Sequence, residues 1–104
     1  MRKAIVYVHG KRAGVLTEVS PTEYHFEYDD HYEGDAISLT MPVGQKKYRY
    51  TSFPPFFEGV LPEGIMLEGL LRIAKIDQKD YFSQLVATGA DLVGAVTVKP
   101  AEDE

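Results

Sequence analysis

One stretch divides this chain and limits what it can become. Residues 53–75 read Phe-Pro-Pro-Phe-Phe-Glu-Gly-Val-Leu-Pro-Glu-Gly-Ile-Met-Leu-Glu-Gly-Leu-Leu-Arg-Ile-Ala-Lys, large apolar side chains punctuated by prolines and glycines. Pro54 and Pro55 fix φ and force an extended entry. Pro62 stands where a helix can begin, because its missing N–H falls among the unpaired donors of a first turn. Glu63 follows in that turn, where a negative charge suits the helix dipole. Leu67, Leu70, Leu71 and Ala74 recur at helical spacing and predict a core-facing stripe. Ile65 and Met66 fall beside it. Two readings of the stretch stand open: a core helix with a proline-shaped entry, or a rigid apolar loop and helix tip offered to a partner.

Before this stretch the chain reads as short strands. Lys3–His9 is rich in β-formers and apolar on both faces, as a central strand would be. Gly10-Lys11-Arg12 predicts a turn, and Ala13–Val19 the returning arm of a hairpin. Ser20-Pro21 breaks the chain. In Thr22–Tyr28 the residues Tyr24, Phe26 and Tyr28 alternate with Glu23, His25 and Glu27, which predicts a strand with one buried and one wet face. Ala36–Met41 predicts a further strand with Ile37, Leu39 and Met41 on one face, ended by Pro42 and Gly44. Lys46–Tyr50 predicts an edge strand whose lysines discourage pairing with another sheet.

After the stretch, Asp77 predicts an N-cap, with Asp80 three residues on as a variant capping box. Tyr81, Phe82, Leu85 and Val86 supply an apolar face, and Gly89 stands at the C′ position. Gly94–Lys99 predicts the last strand. The expected fold is therefore α+β: a small antiparallel sheet of five to six strands, with two helices inserted before the last strand. Residues 1–100 are expected to form one domain and residues 101–104 an acidic tail. A chain of 104 residues suffices for one modest core.

Composition excludes several classes. The formal net charge of -5 argues against nucleic acid as a direct ligand, since phosphate binding needs a basic surface. With 0 cysteines there is no disulfide framework and no thiol chemistry. No apolar run approaches the length of a membrane span, and the N-terminal apolar run is too short for a secretory signal, so a cytoplasmic location is expected. Phosphate-binding glycine motifs and a nucleophile elbow are absent from the sequence, and its serines have no recognisable base partner. No catalytic residue and no cofactor is expected.

His25, Asp29, Asp30, His31, Glu33 and Asp35 crowd one stretch. Asp29, His31, Glu33 and Gly34 imitate the start of a calcium loop, but the twelfth position, which needs a bidentate glutamate, is Thr40. Zinc would need a second well-spaced ligand pair. A solvated acidic tip is expected, with no metal. Glu23, Glu27, Asp29, Asp30, Glu33 and Asp35, with no Lys or Arg among residues 23–35, offer at most a docking patch for a basic partner.

Together these residues carry a family resemblance. Phe56-Phe57-Glu58-Gly59-Val60-Leu61-Pro62-Glu63-Gly64 resembles the Phe-Phe-x-x-Leu-Leu-Pro-Glu-Gly stretch in the N-terminal segment of HipA-like toxin kinases. Residues 80–98 resemble that segment's Phe-x-Leu-Leu-x-x-x-Gly-x-Asp-x-x-Gly-Ala-Val stretch. Val6–Gly10 with Ala13–Leu16 is similar to its opening hairpin, and Tyr24–Tyr28 to its aromatic strand. The ATP loop, catalytic aspartate and metal ligands of the kinase body have no counterparts here, so the resemblance implies no kinase activity. It points to the HipS-like small subunits of tripartite HipBST toxin–antitoxin systems. The implied function is a non-catalytic antitoxin that binds a HipT-like serine/threonine kinase toxin in trans, alongside a HipB-like DNA-binding protein. An N-terminal fragment of a full-length HipA-like kinase and an independent protein-binding module are the alternatives, with a small enzyme as the competing class. Met1 at a strand start and the acidic tail after Pro100 favour a complete small protein. The expected partner-binding residues are Phe56, Phe57, Leu61, Pro62, Glu63, Gly64, Ile65 and Met66, with Ile65 and Met66 as the exposed tip.

Overall fold

A computed structural model describes residues 1–61, 64–91 and 95–101, without the side chains of residues 64, 65 and 91. Five strands form one antiparallel sheet: β1 (Arg2–Val8), β2 (Lys11–Ser20), β3 (Glu23–Tyr28), β4 (Lys47–Tyr50) and β5 (Val96–Pro100), in the order β4-β3-β2-β1-β5. Between β4 and β5 the chain forms α1 (Pro55–Gly59), α2 (Gly64–Ala74), α3 (Tyr81–Ala87) and a 3₁₀ turn at Gly89–Asp91. The fold class is the expected α+β, but three helices, not two, precede the last strand, because Pro55–Gly59 forms a short helix of its own.

The β1–β2 turn is His9-Gly10, one residue earlier than the sequence predicted. Both residues have positive φ, 52° and 78°. That pair suits a two-residue connection whose twist matches the flanking strands, and glycine takes the second position without strain. β1 lies inside the sheet, paired to β2 on one side and β5 on the other. It buries Ala4, Val6 and Val8 on one face, while Lys3, Ile5 and Tyr7 on the other stay half-exposed.

Period-2 alternation in β3 is borne out. Tyr24, Phe26 and Tyr28 are buried, Glu23 and His25 half-buried, and Glu27 exposed. On the buried face they meet Phe53 and Phe57: the Tyr24 and Phe53 rings stand edge to face at 5.5 Å, and Phe26 and Phe57 lie 6.1 Å apart. Leu16, Val96, Val98, Leu61, Phe82 and Leu85 complete one continuous core.

Ala36–Met41 is not a strand. Ile37 and Met41 are buried as predicted, but Leu39 between them is fully exposed. Met41 N–H donates to the Ser38 carbonyl and closes a turn that throws Leu39 outward. The Tyr28 hydroxyl replaces the missing ladder, accepting from Ile37 N–H and donating to the Met41 carbonyl. Backbone groups that a neighbouring strand would pair are satisfied by one side chain.

The two sheet edges are managed differently. Lys47 and Arg49 are exposed on β4, as charged guards. At β5 the chain itself approaches. Gly89 packs so closely on the strand that a Cβ there would lie 1.9 Å from the Val98 carbonyl oxygen. Gly89 does stand at C′ of α3, but its φ is not left-handed; close packing, not the cap conformation, requires glycine there.

Candidate functional site

Pro54 is extended, with φ -58° and ψ 132°, but Pro55 opens α1 instead of prolonging the extended entry. Its missing N–H falls among the unpaired donors of the first turn, and Glu58 N–H closes that turn on the Pro54 carbonyl at 3.0 Å. The short helix turns Phe57 fully into the core and leaves Phe56 half-buried against it, ring to ring at 5.1 Å. Leu61 is buried too. Of the expected contact residues, Phe57 and Leu61 are therefore core residues. Pro62 and Glu63 lie outside the described residues, so the predicted helix start at Pro62 does as well. Gly64 belongs to α2 by its backbone, and the predicted exposed position of the Ile65 side chain lies outside the description.

Met66 is 76% exposed, and Ile73 one heptad later is 84% exposed. The predicted core stripe is not found: Leu67, Leu70 and Leu71 are half-buried and Ala74 is exposed. The physical reason is occupancy. Phe57 and Leu61 with Phe82 and Leu85 on α3 already fill the helical face of the sheet. α2 finds α3 as its main neighbour. It is an apolar helix carried outside the core, where a helix apolar on most sides is normally buried.

α3 is anchored by Asp80, three residues after the predicted cap. Asp80 accepts from Ser83 N–H at 3.2 Å and from the Ser83 hydroxyl at 2.7 Å. Asp77 instead accepts from Lys79 N–H at 2.8 Å, a local turn that precedes the helix. Arg2 joins β1 to this cap. Its guanidinium donates to Glu18 at 2.6 and 2.9 Å, to Asp80 at 2.9 Å and to the Ser83 hydroxyl at 2.8 Å, and it covers the Phe82 ring at 4.9 Å. The hydrogen bond from Arg2 holds the Glu18 carboxyl below its usual range. Burial pushes the Asp80 carboxyl up, but hydrogen bonds from Arg2 and Ser83 outweigh it and hold this group down as well. The network was missed in the sequence because its members are separated by up to 81 positions.

The acidic stretch is partly neutralised by its surroundings. Arg12 pairs with Asp29 at 2.9 Å, Arg49 reaches Glu23 at 3.3 Å, and Lys46 donates to the Asp30 carbonyl at 3.0 Å. Among the described residues no cluster of three or more His, Asp or Glu side chains could hold a metal ion, and no helix is long and apolar enough to cross a membrane.

The arrangement defines a small sheet-and-helix domain that carries an apolar helix on its outside. Residues 4–99 match the HipA N-terminal domain family, and the chain belongs to it. It is 29% identical over 99 residues to an uncharacterised protein of Haemophilus influenzae, covering 95% of this chain and 92% of that protein. It is 30% identical over 109 residues to the putative kinase Y4dM of Sinorhizobium fredii, of which it spans only 27%. Among solved structures it superposes on the N-terminal domain of HipA toxin with a TM-score of 0.78 at 27% identity, covering 100% of this chain and 96% of that one.

Proposed function

We propose that this protein is a HipS-like antitoxin: a non-catalytic cytoplasmic subunit that binds a HipT-like serine/threonine kinase toxin in trans and neutralises it, in a system with a HipB-like DNA-binding protein. The observation that carries this reading is α2, an apolar helix with Met66 and Ile73 in water on a domain whose core is otherwise complete. Met66 and Ile73 stand one heptad apart on that helix, and exposed apolar side chains on one helix support an interaction site. The family supports the reading, since residues 4–99 match the HipA N-terminal domain. Met66, with its flexible thioether, suits an adaptable contact.

The test is co-expression with a HipT-like kinase that lacks this domain. The expected result is a stable complex and suppressed autophosphorylation. Met66→Asp should weaken that complex by at least about 2 kcal/mol, the level of an interface hot spot, and leave circular dichroism unchanged. A kinase that neither co-purifies nor loses activity would overturn the reading.

A further inference from the structure

Helix α2 presents a surface that is close to its own complement. Met66 and Ile73 are exposed, and Gly69 and Leu70, both half-buried, lie between them along the axis. At about 100° per residue, Met66 and Ile73 fall within about 20° of each other around the helix, with Leu70 on one side of that line and Gly69 on the other. A Cβ at Gly69 would meet no atom within 4 Å, so packing inside the domain does not call for glycine there, in contrast to Gly89. Glycine weakens a helix interior, but it lets another backbone approach closely. Beyond Gly69 on the same side, Glu68 and Arg72 are exposed, and among the described residues neither forms an ion pair within its own chain.

These positions select one orientation of a second helix. The midpoint between Met66 and Ile73 falls between Gly69 and Leu70. An identical helix laid antiparallel about that point sets Met66 opposite the partner's Ile73 and Gly69 opposite the partner's Leu70. Like flanks meet in such a pair, so Glu68 comes beside the partner's Arg72, and the two-fold axis repeats the contact. A parallel pair would instead set like charges against each other. A second copy of this chain therefore matches the exposed face of α2 in both apolar spacing and charge.

Building on the kinase-binding role proposed for this helix, we infer that the free protein pairs through α2 into an antiparallel two-fold dimer, and that pairing and kinase binding exclude each other. The interface is one short helix from each subunit, far smaller than that of a permanent dimer, so pairing is weak and reversible. It takes Met66 and Ile73 out of water while no kinase is bound, and the kinase displaces it.

Sedimentation velocity of the isolated protein over a rising concentration series should show a monomer–dimer equilibrium. Glu68→Arg should weaken pairing by about tenfold, because two symmetric attractions become repulsions. Arg72→Glu should do the same, and it serves as the second variant should Glu68→Arg disturb α2. Combining the two should restore wild-type pairing, since a partner that carries the same exchange regains both ion pairs. A protein that stays monomeric at millimolar concentration, or a folded double variant that pairs no better than the single ones, would overturn the inference while the kinase partnership stands. Adding a HipT-like kinase that lacks this domain should dissolve the dimer into complexes with one copy of each chain. A complex that keeps two copies joined through α2 would overturn the mutual exclusion. A protein that dimerises as described but binds no kinase would sink the partnership and uphold the pairing.

Discussion

The segment from Asp29 to Lys46 and helix α2 are opposite cases. The first contains neither helix nor strand, yet Tyr32, Ile37 and Met41 are buried in the core and the Tyr28 hydroxyl holds its backbone at two points. Tyr32 stacks on Tyr28 at 5.8 Å, and its own hydroxyl donates to the Asp35 carbonyl. The second is a regular helix of 11 residues with no buried side chain among those described. Regular hydrogen bonding inside a segment does not tie it to the molecule; side chains that reach the core do. An irregular loop can be a fixed part of the scaffold while a helix is the part left for something else to cover.

Mutations sharpen this contrast. The largest effect is expected at Phe57, which lies in the same proline-rich stretch as α2 but on the core side. Phe57→Ala should cost about 3–5 kcal/mol in urea unfolding, as large-to-small core changes do. An unchanged midpoint would move α1 to the exposed class and dissolve the distinction. Next comes Tyr28→Phe, which keeps the ring and strands Ile37 N–H and the Met41 carbonyl. A loss of about 1–3 kcal/mol is expected, together with faster proteolysis between Asp29 and Lys46. If neither changes, burial of Ile37 and Met41 alone holds the loop. The smallest effect is expected at Ile73. Serine has similar helix propensity and removes only exposed apolar surface, so Ile73→Ser should shift the free energy of the isolated protein by less than about 0.5 kcal/mol. A larger loss would show that α2 is held by the core after all.

How much could be read in advance follows the same division. β3 was legible because alternation over Tyr24, Phe26 and Tyr28 has one physical solution, a strand with one covered face. The guarded edge at Lys47 was legible for a related reason, since charge on a short strand resists further pairing, and Arg49 adds a guard the sequence reading did not name. Ile37, Leu39 and Met41 display the same alternation, and there it failed. Pairing needs a neighbour, and Tyr28 supplies those hydrogen bonds from its side chain. Of the candidate contact residues, Met66 is exposed as the sequence suggested, while Phe57 and Leu61 are not. All three are large and apolar, and only their position relative to the filled sheet face separates them.

Local pattern by itself determined the strand–helix–strand order, the buried face of β3 and the absence of any cysteine chemistry, because alternation, proline and composition act through the chain's own covalent neighbours. The tertiary structure alone decided that α1 and α3 take the sheet's helical face and that α2 does not. It also decided that Arg2 reaches Asp80 and that Gly89 meets the Val98 carbonyl. Each of these is a competition for the same space or the same partner among residues far apart in sequence, and its outcome depends on which side chain arrives closest once the sheet has formed.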